Sequence, residues 1–115
     1  MPGKAKQVLL VEDEDNIALA LSVLIEREGY IIDRVADGDR AIETLNRSKP
    51  DLVVLDAMIP GVSGFGVCQH IRQSKDLADL KVLMISAAGQ KLRSQALDIG
   101  ADAFLLKPFD TRELT

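Results

Sequence analysis

The chain has 115 residues, of which 47% are apolar and 28% are charged. That length suits one ordinary domain, and the apolar share is enough to build a hydrophobic core. No apolar run approaches the roughly 20 residues that a membrane helix needs, and a net charge of −4 with scattered basic residues argues against direct nucleic-acid binding. The single cysteine, Cys68, excludes an intrachain disulfide and fits a reducing cytoplasm. We therefore expect a cytoplasmic protein with no membrane contact.

Short apolar runs predict five β-strands, at residues 8–11, 30–35, 52–55, 82–85 and 103–106. The first, third, fourth and fifth runs are apolar throughout, which is typical of strands that helices bury on both faces. The second run is more mixed because it contains Asp33 and Arg34, so we place it at an edge of the sheet. The alternation of strands and helices predicts an α/β fold with a doubly wound parallel sheet and right-handed crossovers.

Apolar residues at helical spacing predict a helix after each of the first four strands. The first helix has Ile17, Leu21 and Ile25 on one face and ends at Gly29, and the fourth ends before Gly100. The apolar faces of the other helices comprise Ala41, Ile42 and Leu45, then Phe65, Cys68 and Ile71, then Leu92, Ala96 and Ile99.

The last residues, DTRELT, begin a fifth helix after Phe109. A helix this short is not stable by itself. We therefore expect one domain over residues 1–115, with the fifth helix largely absent and no output domain present.

Chemically reactive residues follow four of the strands, and in a parallel sheet the strand ends share one edge where ligands bind. These residues are Glu12 and Asp13, Asp56, Ser86, and Lys107. Each has a plainer explanation alone, since an acidic run before a helix is usually solvated and a serine after a strand is usually an N-cap. Together, three carboxylates favour a hard cation such as Mg²⁺. The next two acids, Glu14 and Asp15, are expected to face solvent and to cap the first helix, where negative charge is favoured.

Four motifs carry a resemblance to a known family. They are LLVEDE with the acidic pair Glu12 and Asp13, LVVLDAMIPGVSG with Asp56 four residues before Pro60 and eight before Gly64, MISA with Ser86, and GADAFLLKPF with Lys107 and Pro108. In this combination the chain resembles the receiver domain of bacterial two-component response regulators. The resemblance covers essentially the whole chain and implies a flavodoxin-like fold, with a five-stranded sheet in the order 2-1-3-4-5.

The resemblance also implies a phosphorelay function. Asp56 would accept a phosphoryl group from a phosphohistidine on a sensor histidine kinase or a histidine phosphotransfer protein. Asp13, Asp56 and the backbone carbonyl of Met58 would hold Mg²⁺, or Mn²⁺ in its place, and Glu12 would act through water. The domain would catalyse only its own phosphorylation and dephosphorylation.

Four further residues take roles from the same resemblance. Lys107 would neutralise charge on the phosphoryl oxygens, and Ser86 would donate a hydrogen bond to them. Phe104 would follow Ser86 inward as a switch, which is compatible with plain core packing. Pro108 is expected to follow a cis peptide bond. The face formed by helix 4, strand 5 and helix 5 would then change its partners, with a homodimer as one possible assembly.

Two alternatives differ in class. A haloacid-dehalogenase-like phosphatase also uses a strand-end Asp with Mg²⁺, but it needs a second Asp two residues later, where this chain has Met58. A degenerate receiver would signal without phosphate and would show loss of an acid or of the lysine. This chain keeps Glu12, Asp13, Asp56 and Lys107, which disfavours the hypothesis of a degenerate receiver.

Overall fold

Strands and helices alternate in the computed structural model, which describes residues 6–86 and 91–106. The strands are β1 (Gln7–Val11), β2 (Ile31–Val35), β3 (Leu52–Asp56), β4 (Lys81–Ser86) and β5 (Ala103–Leu106). The helices are α1 (Asp15–Arg27), α2 (Gly38–Arg47), α3 (Gly64–Gln73) and α4 (Lys91–Ile99). Each strand boundary lies within one residue of its predicted position. The predicted start of a fifth helix lies outside the described residues.

All pairings in the sheet are parallel, and the strand order is β2-β1-β3-β4-β5. The predicted doubly wound sheet is confirmed, and β2 lies at an edge as expected. The order reverses between β1 and β3, because the chain leaves β1 toward β2 and later returns on the other side. Val11 at the end of β1 pairs with Leu55, and Asp56 pairs with Ile85 of β4. The ends of β1 and β3 therefore lie side by side at the usual ligand-binding position of such sheets.

Helices cover both faces of the sheet. On one face α2, α3 and α4 pack a core that includes Leu9, Leu55, Cys68, Met84 and Phe104. On the other face α1 packs Ala18 and Leu21 against Val8, Leu10 and Val54. The central strands β1 and β3 are consequently the most deeply buried part of the fold.

The sequence predicted that β5 is buried on both faces, but its described side chains are fully buried on only one face. Phe104 is buried, but Ala103 is exposed and Leu105 is only half-buried. The reason is positional, because β5 is an edge strand and the helices cover its two faces unequally. Phe104 lies on the face that α4 covers, whereas Ala103 and Leu105 lie on the opposite face, where α1 packs mainly against β1 and β3. An apolar run alone does not distinguish a central strand from an edge strand that has one buried side chain.

The helix ends follow local chemistry. Gly29 and Gly100 have φ values of +92° and +118°, which glycine adopts without strain, and they end α1 and α4 as predicted. The side chains of Asp37 and Ser63 cap the starts of α2 and α3 by accepting the backbone N–H of the third helical residue, Arg40 and Gly66 respectively. Across residues 6–86 and 91–106, no helix combines the length and apolar character that crossing a membrane requires.

Candidate functional site

Three of the predicted site residues form one acidic cluster. Glu12, Asp13 and Asp56 each place a carboxylate oxygen within 4.8 Å of the others. Glu12 and Asp56 are almost fully buried, at 0% and 4% exposure, whereas Asp13 is exposed. The cluster exists because β1 and β3 are neighbours and their carboxyl ends meet at the switch point of the sheet.

The donor set of this cluster suits a hard divalent cation. Three carboxylates at such short separations repel one another, and the repulsion is stronger where two of them are removed from water. All donor atoms of the cluster are oxygens, which Mg²⁺ prefers, and Mg²⁺ needs only one or two protein carboxylates besides water. The residues therefore fit a Mg²⁺ site with an open side toward solvent at Asp13.

The backbone beyond β3 orients the Asp56 carboxylate. The N–H of Met58 donates to Oδ1 of Asp56 at 2.9 Å. The N–H of Ala57 donates to the carbonyl of Ile85 at 2.9 Å, and the carbonyl of Ala57 accepts from Gly64 at 3.0 Å. The β3–α3 loop, residues 57–63, therefore begins and ends on backbone hydrogen bonds. The conformation of this loop therefore fixes the position of the Asp56 carboxylate in the cluster.

Close backbone contacts make two glycines necessary for this loop. A Cβ at Gly64 would lie 2.6 Å from Cα of Ala57, and nearer still to the carbonyl oxygen of Asp56. A Cβ at Gly38 would lie 2.6 Å from the carbonyl carbon of Val62. Gly38 also donates its N–H to the carbonyl of Pro60 at 3.1 Å. The loop is thus packed against both α3 and the start of α2.

Two further predicted residues lie on the strands beside Asp56. Ser86 ends β4 one residue beyond Ile85, the register partner of Asp56, and it is fully buried. Phe104 of β5 pairs with Met84 and is 5% exposed, in the core shared with α2, α3 and α4. Lys107 and Pro108 lie outside the described residues, as does the cis peptide bond expected between them.

The sequence reasoning missed a side chain that binds the backbone of Glu12. Arg34 of β2 donates from Nε and Nη2 to the carbonyl oxygen of Glu12, at 3.0 and 2.8 Å. Its Nη1 pairs with Asp15 at 2.9 Å. In the sequence, Arg34 indicated only that the second strand lies at an edge of the sheet. No local pattern could reveal these contacts, because the partners are 22 and 19 residues away in the chain.

The start of α1 also differs in detail from the expectation. Glu14 and Asp15 are exposed, as predicted. Glu14 is the N-cap residue, but its side chain makes no capping hydrogen bond. Instead, Oε2 of Glu12 accepts from the N–H of Glu14 at 3.1 Å. A buried carboxylate of the cluster therefore stabilises the turn that leads into α1.

The sequence model of the response regulator receiver domain family matches residues 8–115. The chain belongs to this family. It is a receiver domain of the kind found in the response regulators of two-component, phosphorelay signalling, and its acidic cluster fits the phosphoacceptor site of such domains.

Curated relatives of this receiver domain are transcriptional regulators. The chain is 38% identical over 109 residues to the DNA-binding dual master transcriptional regulator RpaA of Synechocystis, covering 94% of this chain and 45% of that protein. It is 37% identical over 110 residues to the alkaline phosphatase synthesis transcriptional regulatory protein PhoP of Bacillus subtilis, covering 95% and 45%. The chain thus spans about half the length of the curated relatives it matches.

Solved receiver structures share the fold. A protein described as a response regulator from Chloroflexus aurantiacus superposes with a TM-score of 0.93 at 31% identity, covering 96% of this chain and 92% of that one. The receiver domain of a sensor histidine kinase from Pseudomonas aeruginosa gives a TM-score of 0.88 at 28% identity, covering 96% and 92%. That structure has a magnesium ion coordinated in its active-site cleft.

Proposed function

We propose that this receiver domain accepts a phosphoryl group on Asp56 in a Mg²⁺-dependent reaction. The observation that carries the proposal is the cluster of Glu12, Asp13 and Asp56, whose carboxylate oxygens lie within 4.8 Å of one another. Asp56 is the best placed nucleophile of the three, since it ends the central strand β3 and the Met58 N–H orients its carboxylate.

Asp13, Asp56 and the backbone carbonyl of Met58 would hold the metal, with Glu12 acting through water. Bound there, Mg²⁺ would offset the negative charge of the carboxylates and of the phosphoryl oxygens. Mn²⁺ has the same preference for oxygen donors and would substitute for it. The exposure of Asp13 supports this assignment, because it gives the cation and its waters a path from solvent.

The transfer itself needs little covalent chemistry from the protein. An oxygen of Asp56 forms a bond to phosphorus as the bond from phosphorus to the donor imidazole breaks, and the imidazole leaves with the electron pair and takes up a proton. The donor would be a sensor histidine kinase or a histidine phosphotransfer protein. The domain would also hydrolyse its own acyl phosphate, when water attacks phosphorus and Asp56 leaves as a carboxylate.

Ser86, Lys107 and Phe104 would convert phosphorylation into a change of surface. A phosphoryl group adds about −1.5 to −2 charge and three strong acceptor oxygens. Lys107 would pair with these oxygens, and the Ser86 hydroxyl would donate to one of them. Phe104 shares its buried face with Met84, two residues before Ser86, so a movement at the end of β4 would reach the aromatic ring. Pro108 would maintain the turn after Lys107 through a cis peptide bond.

The output face would comprise α4, β5 and the helix expected after β5. A homodimer through this face is one partner arrangement, and the reaction would take place in the cytoplasm. Neither nucleic acid nor a membrane is a proposed partner of these residues, since the chain is acidic overall with a net charge of −4.

The test is phosphorylation by acetyl phosphate, followed by intact mass. Wild type, Asp56→Asn and Asp51→Asn are compared with Mg²⁺ and with a chelator. Asp51 is the matched control, since it precedes the same strand at the opposite edge of the sheet, where it accepts the N–H of Gln7 at 2.7 Å. We expect wild type and Asp51→Asn to gain one phosphoryl group only with Mg²⁺.

Asp56→Asn is expected to gain none, because an amide oxygen is a poor nucleophile. If folded wild type binds Mg²⁺ but gains no phosphoryl group, the phosphoacceptor assignment is wrong. If Asp56→Asn is modified as fast as wild type, the acceptor is another residue.

A further inference from the structure

Arg34 connects the strand that carries the acidic pair to the helix that follows it. It lies on β2 opposite Leu10 and shares a sheet face with Ile32, the face that α1 covers. From there its guanidinium donates twice to the carbonyl of Glu12, and it pairs with Asp15 in the first turn of α1. The side chain is 30% exposed, so water competes only partly for these contacts.

The contact with Glu12 replaces a bond of the sheet. The N–H of Glu12 donates to the carbonyl of Val35 at 3.1 Å, which is the last backbone bond between β1 and β2 at this end. The carbonyl of Glu12 is satisfied instead by Nε and Nη2 of Arg34. A fixed fork of donors suits this task, because one planar group reaches two acceptors at once.

The β1–α1 turn is therefore held at both of its ends by one side chain. Only Asp13 and Glu14 lie between the two acceptors, Glu12 and Asp15. Inside the turn, the N–H of Glu14 donates to Oε2 of Glu12 at 3.1 Å. Asp13 is exposed and makes up half of this short turn, so the anchor at Glu12 restricts where its carboxylate can lie. The anchor at Asp15 is the weaker of the two, because that side chain is exposed.

We propose that Arg34 is a positioning residue that holds the β1–α1 turn so that Asp13 is placed to bind a divalent cation. The inference rests on the proposed function, which assigns the cation to Asp13 and Asp56. It concerns a residue that touches neither the metal nor the phosphoryl group.

A purely electrostatic role for Arg34 and a positioning role predict opposite changes in Mg²⁺ affinity when the side chain is removed. A guanidinium beside an acidic cluster repels Mg²⁺, so removing it should tighten binding. A positioning role predicts weaker binding on removal, although one positive charge is lost. Outer-shell partners of metal ligands typically change affinity by about 10–100-fold, and Arg34 acts through the backbone, so we expect about tenfold. The direction of the change therefore separates the two roles.

The experiment measures the Mg²⁺ dissociation constant of the full chain by calorimetry, with the amide signals of Asp13 and Glu14 followed by NMR. Arg34→Met removes the guanidinium but keeps an apolar stem of similar length. Arg34→Lys keeps the charge but lacks the planar fork, and we expect it to bind between wild type and Arg34→Met. A thermal unfolding curve for each variant shows that it is folded.

Two controls isolate the contact with the Glu12 carbonyl. Arg47→Met makes the same charge change at the exposed far end of α2, and it should leave the dissociation constant within about twofold of wild type because salt screens distant charges. Asp15→Asn removes the ion pair of Arg34 but leaves both bonds to Glu12. It should also change affinity by less than about twofold, since an exposed pair contributes little.

The proposal is supported if folded Arg34→Met binds Mg²⁺ about tenfold more weakly and its Asp13 amide signal moves before metal is added. It is overturned if folded Arg34→Met binds Mg²⁺ as tightly as wild type or more tightly. A tenfold loss in Asp15→Asn would overturn the assignment to the Glu12 carbonyl. If wild type itself binds no Mg²⁺, the metal site of the proposed function fails, and the inference fails with it.

Discussion

Gly38 at the start of α2 is the site of a substitution whose cost follows from a single contact. An alanine Cβ there would lie 2.6 Å from the carbonyl carbon of Val62, and closer to its oxygen. Ordinary Cβ contacts begin near 3.4 Å. Clearing the carbonyl carbon alone would take a retreat of about 0.8 Å by the backbone of the β3–α3 loop, and clearing the nearer oxygen would take more, which a close-packed interior resists. The hydrogen bond from Gly38 to the Pro60 carbonyl would be strained by the same movement.

Two opposing effects determine the magnitude for Gly38→Ala. Alanine is favoured over glycine within a helix by about 1 kcal/mol. Forcing an extra methyl group into a packed site typically costs about 1–3 kcal/mol, and here the obstacle is backbone that cannot rotate away. Because the obstacle is backbone, the cost should lie in the upper part of that range, about 2–3 kcal/mol. After the helix-propensity gain is subtracted, we expect the free energy of unfolding to fall by about 1–2 kcal/mol, and each kcal/mol lowers Tm by about 4 °C in a chain of this length. Phosphorylation of Asp56 should also slow, because the displaced loop follows directly from it.

Gly66→Ala in the first turn of α3 is the matched control. Its Cβ would meet only side-chain atoms, Cγ1 of Val62 at 2.7 Å and Oγ of Ser63 at 3.6 Å. The gain in helix propensity and this milder crowding oppose each other, so we expect a change within about 1 kcal/mol. Unfolding is followed by circular dichroism against temperature and urea. The reasoning is refuted if Gly38→Ala is as stable as Gly66→Ala and wild type and is phosphorylated at the wild-type rate.

Two other predictions concern the far edge of the sheet and the core. Arg72 donates to the carbonyls of Gly100, Ala78 and Leu80 and to the carboxylate of Asp102. Only the bonds to Gly100 and Leu80 are partly buried, and a buried acceptor left without a donor costs about 1–3 kcal/mol. Arg72→Met should therefore lower the free energy of unfolding by about 2–4 kcal/mol, since partial burial favours the lower part of that range, while Mg²⁺ affinity stays unchanged. An unchanged urea midpoint would contradict this. Burial raises the pKa of the Cys68 thiol above its ordinary 9.0, so a thiol reagent should label it only as fast as the protein unfolds. Above pH 9.0 the thiol of the unfolded chain ionises, whereas the buried thiol of the folded chain stays protonated up to its raised pKa. The contribution of Cys68 to stability should therefore fall as the pH rises from 9.0 toward that raised pKa. Fast labelling of the native protein would contradict the first expectation. A Cys68→Ala variant whose stability falls at alkaline pH as much as that of wild type would contradict the second.

The fold was predictable from the chain to within one residue at every strand boundary. Parallel strands that are buried on both faces have nearly continuous apolar sequences, and β1, β3 and β4 have such sequences. The position of β2 at an edge was also recoverable, because Asp33 and Arg34 interrupt its pattern. The partial burial of β5 was not, because an unbroken apolar run does not show which face of an edge strand the helices cover.

Local sequence pattern was enough to predict which acids form the cluster. Glu12 and Asp13 follow β1, Asp56 ends β3, and parallel strands end at the same edge, so their convergence is a consequence of local pattern and topology. The contacts that hold these residues in place become visible only in the folded chain. Arg34 reaches Glu12 and Asp15 from a different strand, and Gly38 makes room for the loop after Asp56. Such contacts join residues about 20 apart in the chain. They form only once the sheet has formed, so the spacing of apolar residues along the sequence cannot predict them.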